Sequence, residues 1–193
     1  MCGLAHSPDM SDNKNAGQSS DSQGNGAPQM SRDEAVKTVA GLVKGIKFAM
    51  LVSVNDAGHI HSRPMTTQET EFDGDIWFIG AKDSEVVHDV RSRPQVNVSY
   101  ADTGSNNYVS VHGTAELIED RAKLDELWSD MYNMYFEGGK EDPNVQLIKI
   151  NAEGAEYWES GGKVRTLFAF AKNLIPGQRA DASELGKNDT VNL

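Results

Sequence analysis

A chain of 193 residues carrying a formal charge of −11 suits one domain, and its acidity argues against a nucleic-acid partner, because neutralising phosphates takes a basic face. A core of about 150 residues buries roughly 70% of its unfolded surface and needs no metal or disulfide staple. The single cysteine, Cys2, can form no internal bridge and suits a reducing, cytoplasmic setting.

Residues 1–30 are rich in Ser, Asn, Gln, Gly and Asp and nearly free of apolar side chains, which predicts a disordered arm. The start MCGLAHSPDM lacks the apolar and basic segments of a leader, so no lipidation is expected. Helix signals begin at SRDEAVKTVAGLVKGI, where Ser31 caps, Glu34 completes a capping box, and Val36, Val39, Ala40 and Val43 mark one face. The period then changes. FAMLVSV reads as a buried strand, NDAGH as a turn, and IHSRPMTT as a second strand, at an edge or bulge because Pro64 lacks an N–H. DIWFIG follows the Asp73-Gly74 turn as strand three, and DSEVVHDVRS is a helix that Pro94 stops. QVNVSYA alternates as strand four, and YVSVHGTAELI is a long strand with a bulge expected at Gly113. EDRAKLDELWSDMYNMYF predicts one amphipathic helix, with Leu124, Leu127, Trp128 and Met131 on its apolar face. VQLIKINA and AEYWES predict two more strands, VRTLFAFAKNLI a last helix, and residues 173–193 a polar, extended tail.

Six or seven strands with tight turns and two intervening helices predict a mainly β chain, a closed antiparallel barrel with helical decoration. The longest apolar runs, FAMLV and IWFI, are too short to span a bilayer, so no membrane partner is expected.

Several chemistries are set aside by spacing. His59 and His61 are two apart, on one strand face, but no Cys or helical H-x-x-x-H accompanies them, so no metal site is expected. Neither G-x-S-x-G nor G-x-G-x-x-G occurs. What remains is the strand-to-helix turn in IWFIGAKDSEVVHDVRSRP, Ile76 to Pro94, because such turns aim free backbone N–H groups beyond the helix start, where phosphates bind. SRPMTTQ, Ser62 to Gln68, places Arg63 in an apolar strand. Arg63 is either a barrel-mouth residue paired with Asp or Glu, or a planar fork of donors for a phosphate or a ring carbonyl. Trp77, Tyr108 and Trp158 lie in or near strand ends, where aromatics serve cores and also flat ligands.

Taken in order, SRPMTTQ, IWFIGAKDSEVV, RPQVNVSYAD, NYVSVHGTAEL, YFEGGKEDPNVQLIKI and AEYWES resemble the pyridoxamine 5′-phosphate oxidase-like split barrels, in particular their general stress protein subgroup, over residues 31–172. The resemblance implies a six-stranded antiparallel Greek-key split β-barrel (an FMN-binding split barrel), a homodimer, and a flavin in each of two clefts between subunits. It assigns cofactor contacts to Arg63, Pro64, Met65, Thr66 and Gln68, to Ile79 and Gly80 at a strand end, and to Lys82. It also assigns Ser84, which opens the phosphate-side helix, Trp158 of the last strand, and Tyr108, which reaches the flavin of the partner subunit. FMN is the expected cofactor, with FAD as the second choice, and the implied role is an oxidoreductase whose catalytic residues and substrate stay unassigned. Arg63 or the backbone N–H groups of residues 65–67 would face the charge that develops on the reduced ring.

Two departures from the family pattern matter. Glu85 and Val86 stand where the oxidases place two basic residues on the phosphate. Each charge-assisted bond to phosphate contributes about 1.5–3 kcal/mol and a helix start about 0.3–2, so Lys82, Arg91, Arg93 or Arg63 must fill in, or phosphate binding weakens. The family's Arg-x-His after the tryptophan is also missing, with Arg165 one position late and Leu167 in the histidine's place, so oxidation of vitamin B6 is not expected. These departures keep two alternatives open: a non-catalytic flavin-binding or storage module responding to stress, and a deazaflavin or haem binder on the same fold, with His59, His61 or His112 as haem ligands.

Overall fold

The structure is a computed structural model that describes residues 30–68, 70–160 and 187–193. The expected N-terminal arm up to residue 29, the helix expected over VRTLFAFAKNLI, and Arg165 and Leu167 lie outside them. In chain order the elements are α1 (Arg32–Val43), β1 (Phe48–Val54), β2 (Ile60–Thr66), β3 (Asp75–Ala81), α2 (Glu85–Ser92), β4 (Gln95–Asp102), β5 (Asn107–Ile118), α3 (Arg121–Leu127), β6 (Val145–Glu159) and β7 (Lys187–Asn192). Two 3₁₀ turns, Asp130–Met134 and Gly139–Glu141, fill the span between α3 and β6.

The described residues are thus mainly antiparallel sheet with three α-helices. The strands run in the order β2-β1-β4-β5-β6-β3, and β7 joins β6. β6 is the spine: β5 pairs along one edge, while β3 takes Val145–Asn151 and β7 takes Gly154–Glu159 on the other. Among the described residues β2 pairs only with β1, with Pro64 opposite Met50, so the proline sits in an edge strand as its missing N–H demands.

Alternation along the strands sorts side chains into two cores. Leu51, Phe78, Val98, Val111, Ile148 and Ile150 are buried together with Ala35 and Val39 of α1 and Val86, Val87 and Val90 of α2. Each large side chain fully buried there contributes about 1.5–3 kcal/mol. The opposite face of β3 sends Ile79 into a second cluster with Leu124, Leu127, Tyr132, Phe136, Val145 and Leu147. α1 starts as its sequence predicts: Ser31 Oγ accepts from the Glu34 amide, and the Glu34 carboxylate accepts from the Ser31 amide at 3.0 Å.

Two elements differ from expectation. The single helix predicted over residues 119–136 stops after Leu127, where Trp128 turns extended and Ser129 caps a 3₁₀ turn. Beyond the break the Trp128 ring meets Tyr132 at 5.5 Å and Phe136 at 6.0 Å; a straight helix would also bring Tyr132 near, but would carry Phe136 about 12 Å along the axis. The two strands predicted over VQLIKINA and AEYWES are one continuous strand, β6.

What joins them is a bulge. His112 faces Gly154 and Gly113 faces Ala152, so Glu153 is the extra residue. The irregularity falls beside Gly113 as expected, but the bulged strand is β6. Gly113 instead admits its backbone: a Cβ there would lie 2.2 Å from the Asn151 carbonyl oxygen. Gly113→Ala is therefore expected to cost about 1–3 kcal/mol, read as a lower urea midpoint at unchanged slope.

Candidate functional site

The turn between β3 and α2 is held from both sides. Asn144, on the approach to β6, accepts from Lys82 N through its carbonyl at 2.7 Å and from Asp83 N through Oδ1 at 3.2 Å, and its Nδ2 donates to Asp83 Oδ1 at 2.9 Å. Ser84 N and Oγ both donate to the Ala81 carbonyl, at 3.0 and 2.6 Å, and Ser84 Oγ accepts from Val87 N at 3.5 Å. The amides of Glu85 and Val86, first in the helix, take no hydrogen-bond partner among the described residues, as expected for a helix start.

Beside this turn lies Arg63. β2 alternates so that His61, Arg63 and Met65 turn inward. Arg63 Nη1 donates to Ser53 Oγ at 2.8 Å, and Nη2 lies 3.1 Å from Asp89 Oδ2, 3.2 Å from Glu85 Oε2 and 3.1 Å from His61 Nδ1. Ser53 Oγ donates in turn to Asp89 Oδ2 at 2.8 Å. Glu85 and Asp89 are four apart on α2 and so share its face toward the arginine. Their surroundings differ sharply: the Asp89 side chain is 3% exposed and that of Glu85 83%.

These residues open onto a groove of about 570 Å³, formed by the β1–β2 turn at Asn55, Asp56 and Ala57, by His61 and Arg63, and by Asp83, Ser84, Glu85, His88 and Asp89. Its volume falls within the roughly 300–1,000 Å³ usual for small-molecule sites, but apart from Ala57 every residue that lines it carries a polar or charged side chain. Four carboxylates (Asp56, Asp83, Glu85, Asp89) face one arginine across it. Such walls suit the polar tail of a ligand better than a flat apolar ring.

The groove's outer wall is tied to α2. Asp56 Oδ2 lies 2.8 Å from His88 Nε2, while Arg93 donates to the carbonyls of Asn55 and Asp56 and to Asp56 Oδ1. The hydrogen bond from His88, more than the charges of His88 and Arg93, holds the Asp56 carboxyl below its ordinary value. Elsewhere, burial raises the Tyr132 phenol, partly offset by its contact with Gln68, and burial alone raises Tyr100.

Of the residues the family resemblance assigns, Arg63 and Ser84 line this groove together. Pro64 points outward, Met65 packs on the main core, Thr66 ends β2 half-buried, and Gln68 Nε2 donates to Tyr132 Oη at 2.6 Å. Ile79 is buried in the second core cluster, and Gly80 lies within β3 beside Ile148 and Val87. Lys82 turns the other way, 3.6 Å from Glu119, into a separate depression beside α3. Tyr108 and Trp158 face each other across β5 and β6, both exposed, and neither lines the groove.

Two of the cations expected to compensate for Glu85 are therefore engaged elsewhere: Lys82 by Glu119, and Arg93 by the β1–β2 turn. Of the backbone amides at residues 65–67, that of Thr67 is already bonded to the Lys47 carbonyl at 3.0 Å. His59 sits in the β1–β2 turn and not on the strand with His61. Among the described residues, no group of three or more His, Cys, Asp or Glu could hold a metal ion. Sequence reasoning missed Ser53, Asp89 and the Asp56–His88 pair. The available signal was the spacing of Glu85 and Asp89, which puts two carboxylates on one helix face.

The buried and exposed carboxylates should respond differently to removal. Asp89→Ala is expected to cost about 1–3 kcal/mol, because it strips Ser53 and Arg63 of their shared acceptor. Glu85→Ala should leave the urea midpoint essentially unchanged. Because the folded-state pKa of Asp56 is depressed, its contact is complete above the ordinary aspartate value and is lost as pH falls through the lower folded value. Carbon-detected NMR should find the Asp56 carboxyl titrating below free aspartate, and His88→Ala should bring it back toward that value.

The comparisons with known proteins bear on the family and the fold. A family model described as pyridoxamine 5′-phosphate oxidase like matches residues 34–181. Protein bli-3 of Neurospora crassa is 27% identical over 173 residues, which span 83% of this chain and 78% of that protein. Among solved structures, one named as a general stress protein 26 of Jannaschia is 30% identical, covering 79% of this chain and 94% of its own, with a TM-score of 0.65. Another, named as the general stress FMN/FAD binding protein of Xanthomonas citri, is 28% identical, covering 66% and 89%, with a TM-score of 0.56. With most of its length matched by the family model and its fold by the solved structures, the chain belongs to the pyridoxamine 5′-phosphate oxidase-like family.

Proposed function

We propose that the protein is a stress-related flavin-binding oxidoreductase of the cytoplasm. In this reading it forms a homodimer of six-stranded Greek-key split barrels, extended here by β7, and takes FMN, with FAD as the second choice. One observation carries the reading: Arg63 on β2 and Ser84 at the start of α2, far apart in sequence, line one groove sized for a small molecule. The relative from Xanthomonas citri, named as an FMN/FAD binding protein, supports the choice of ligand.

The donor set fits the polar end of a flavin. The Arg63 guanidinium and the open amides of Glu85 and Val86 would receive the ribityl-phosphate side. A flat ring is best held by large apolar or aromatic side chains, and no Phe, Tyr, Trp, Leu, Ile, Val or Met lines this groove, whereas Tyr108 and Trp158 stand exposed elsewhere on the same chain. A second copy would have to bring them, which is the reason for the dimer. When bound, the flavin supplies the electron-transfer chemistry, and the protein's part is to hold and orient it. Arg63 would fix the tail, and the Asn144-braced turn would hold the helix start in place.

A second reading, a binding or storage module without turnover, is favoured by the engagement of the groove's titratable groups with one another. Arg63 is held by Ser53 and Asp89, Asp56 by His88 and Arg93, and Asp83 by Asn144. Turnover of NAD(P)H by the flavin-loaded protein decides between the two.

The direct test is a flavin titration beside sedimentation. The wild type is expected to bind FMN or FAD as a dimer, and Arg63→Ala to bind at least about tenfold more weakly, with Arg63→Lys restoring part of the loss if charge is what matters. A colourless protein that fails to take up either flavin rejects the proposal, and a monomer at micromolar concentration removes the shared site.

A further inference from the structure

We infer that Glu85 is a built-in competitor for the anion position at Arg63, and that it weakens the groove's hold on doubly charged phosphate ends, such as that of FMN, more than its hold on singly charged phosphodiesters or uncharged tails. The inference takes the flavin class from the reading above, but the contact itself is independent of it.

The Arg63 guanidinium is held from inside by Ser53 Oγ and by Asp89, which is almost fully buried and also accepts from Ser53. Asp89 alone therefore balances the arginine's charge. Glu85 then brings a second carboxylate to the same Nη2, at 3.2 Å. It takes no part in the buried Ser53–Asp89 contact and its side chain is 83% exposed, so it can swing aside without opening the core. Helix polarity favours an acidic residue in the first turn wherever its side chain points. That preference does not explain why this one lies against the arginine facing the groove.

The consequence is electrostatic. A terminal phosphate carries close to two negative charges at neutral pH. It would meet one arginine already shared by two carboxylates, with Asp56 and Asp83 on the same walls. A phosphodiester carries one charge and meets less repulsion, and a hydroxyl-ended tail meets none. Glu85 thus acts as a specificity-determining residue by occupying the donor that a terminal phosphate would claim.

The experiment compares wild type with Glu85→Gln, which keeps the side chain's size, and Glu85→Ala as a second variant. Inorganic phosphate and dimethyl phosphate are titrated while the amide resonances of Ser84 and Val86, which flank the substituted position, are followed by NMR. Riboflavin, FMN and FAD are titrated by fluorescence. Both variants are expected to bind inorganic phosphate and FMN at least about tenfold more tightly than wild type, with riboflavin unchanged and dimethyl phosphate and FAD gaining less. A change in phosphate and FMN affinity of less than about twofold, or an equal gain for riboflavin, overturns the inference. If no flavin binds to any form, the flavin reading fails, and the two phosphate titrations still decide the role of Glu85.

Discussion

The groove depends on one buried contact, in which Asp89 of α2 accepts from Ser53 of β1 and pairs with Arg63 of β2. Each partner comes from a different element, so the contact sets how the edge hairpin lies against the helix. A guanidinium this near the core is costly unless its donors are met, and here they are met by groups that are themselves buried. The arrangement brings a planar set of donors to the helix start instead of letting a long, flexible side chain wander.

That pairing also explains why the groove is acidic and still has one cation at its centre. The inner carboxylate is structural, because removing it would strand two polar groups. The outer one, Glu85, is mostly in water and couples only weakly to stability. Two carboxylates four residues apart on one helix face thus serve different ends, and only their burial distinguishes them. The Asp56–His88 pair adds a surface tie across the same groove that weakens in acid.

β6 organises the rest. Because it runs unbroken for 15 residues, it offers its first half to β3 and its second to β7 while β5 covers its other edge. The alternation of β3 then splits neighbouring residues between two cores. Phe78 enters the main core and Ile79 the cluster beneath α3, and soon after the strand ends Lys82 and Ser84 face different depressions. Residues adjacent in sequence therefore need not share a site.

Local signals in the sequence determined a good deal: the capping box at Ser31, the alternation of β4, the edge position of Pro64, and the turn that opens α2. Each depends on residues a few positions apart, where backbone chemistry alone sets the outcome. β1, which reads as a buried strand, instead alternates and leaves Phe48 and Met50 exposed. The family motifs carried the architecture further. Only the tertiary structure decided that Arg63 meets Asp89 and Ser53, that Lys82 and Arg93 are engaged elsewhere, that a bulge at Glu153 fuses two strands, and that α3 breaks at Trp128. These outcomes turn on which distant side chains compete for the same buried space and the same hydrogen bonds. That competition is resolved by packing in three dimensions, and no pattern of near neighbours encodes it.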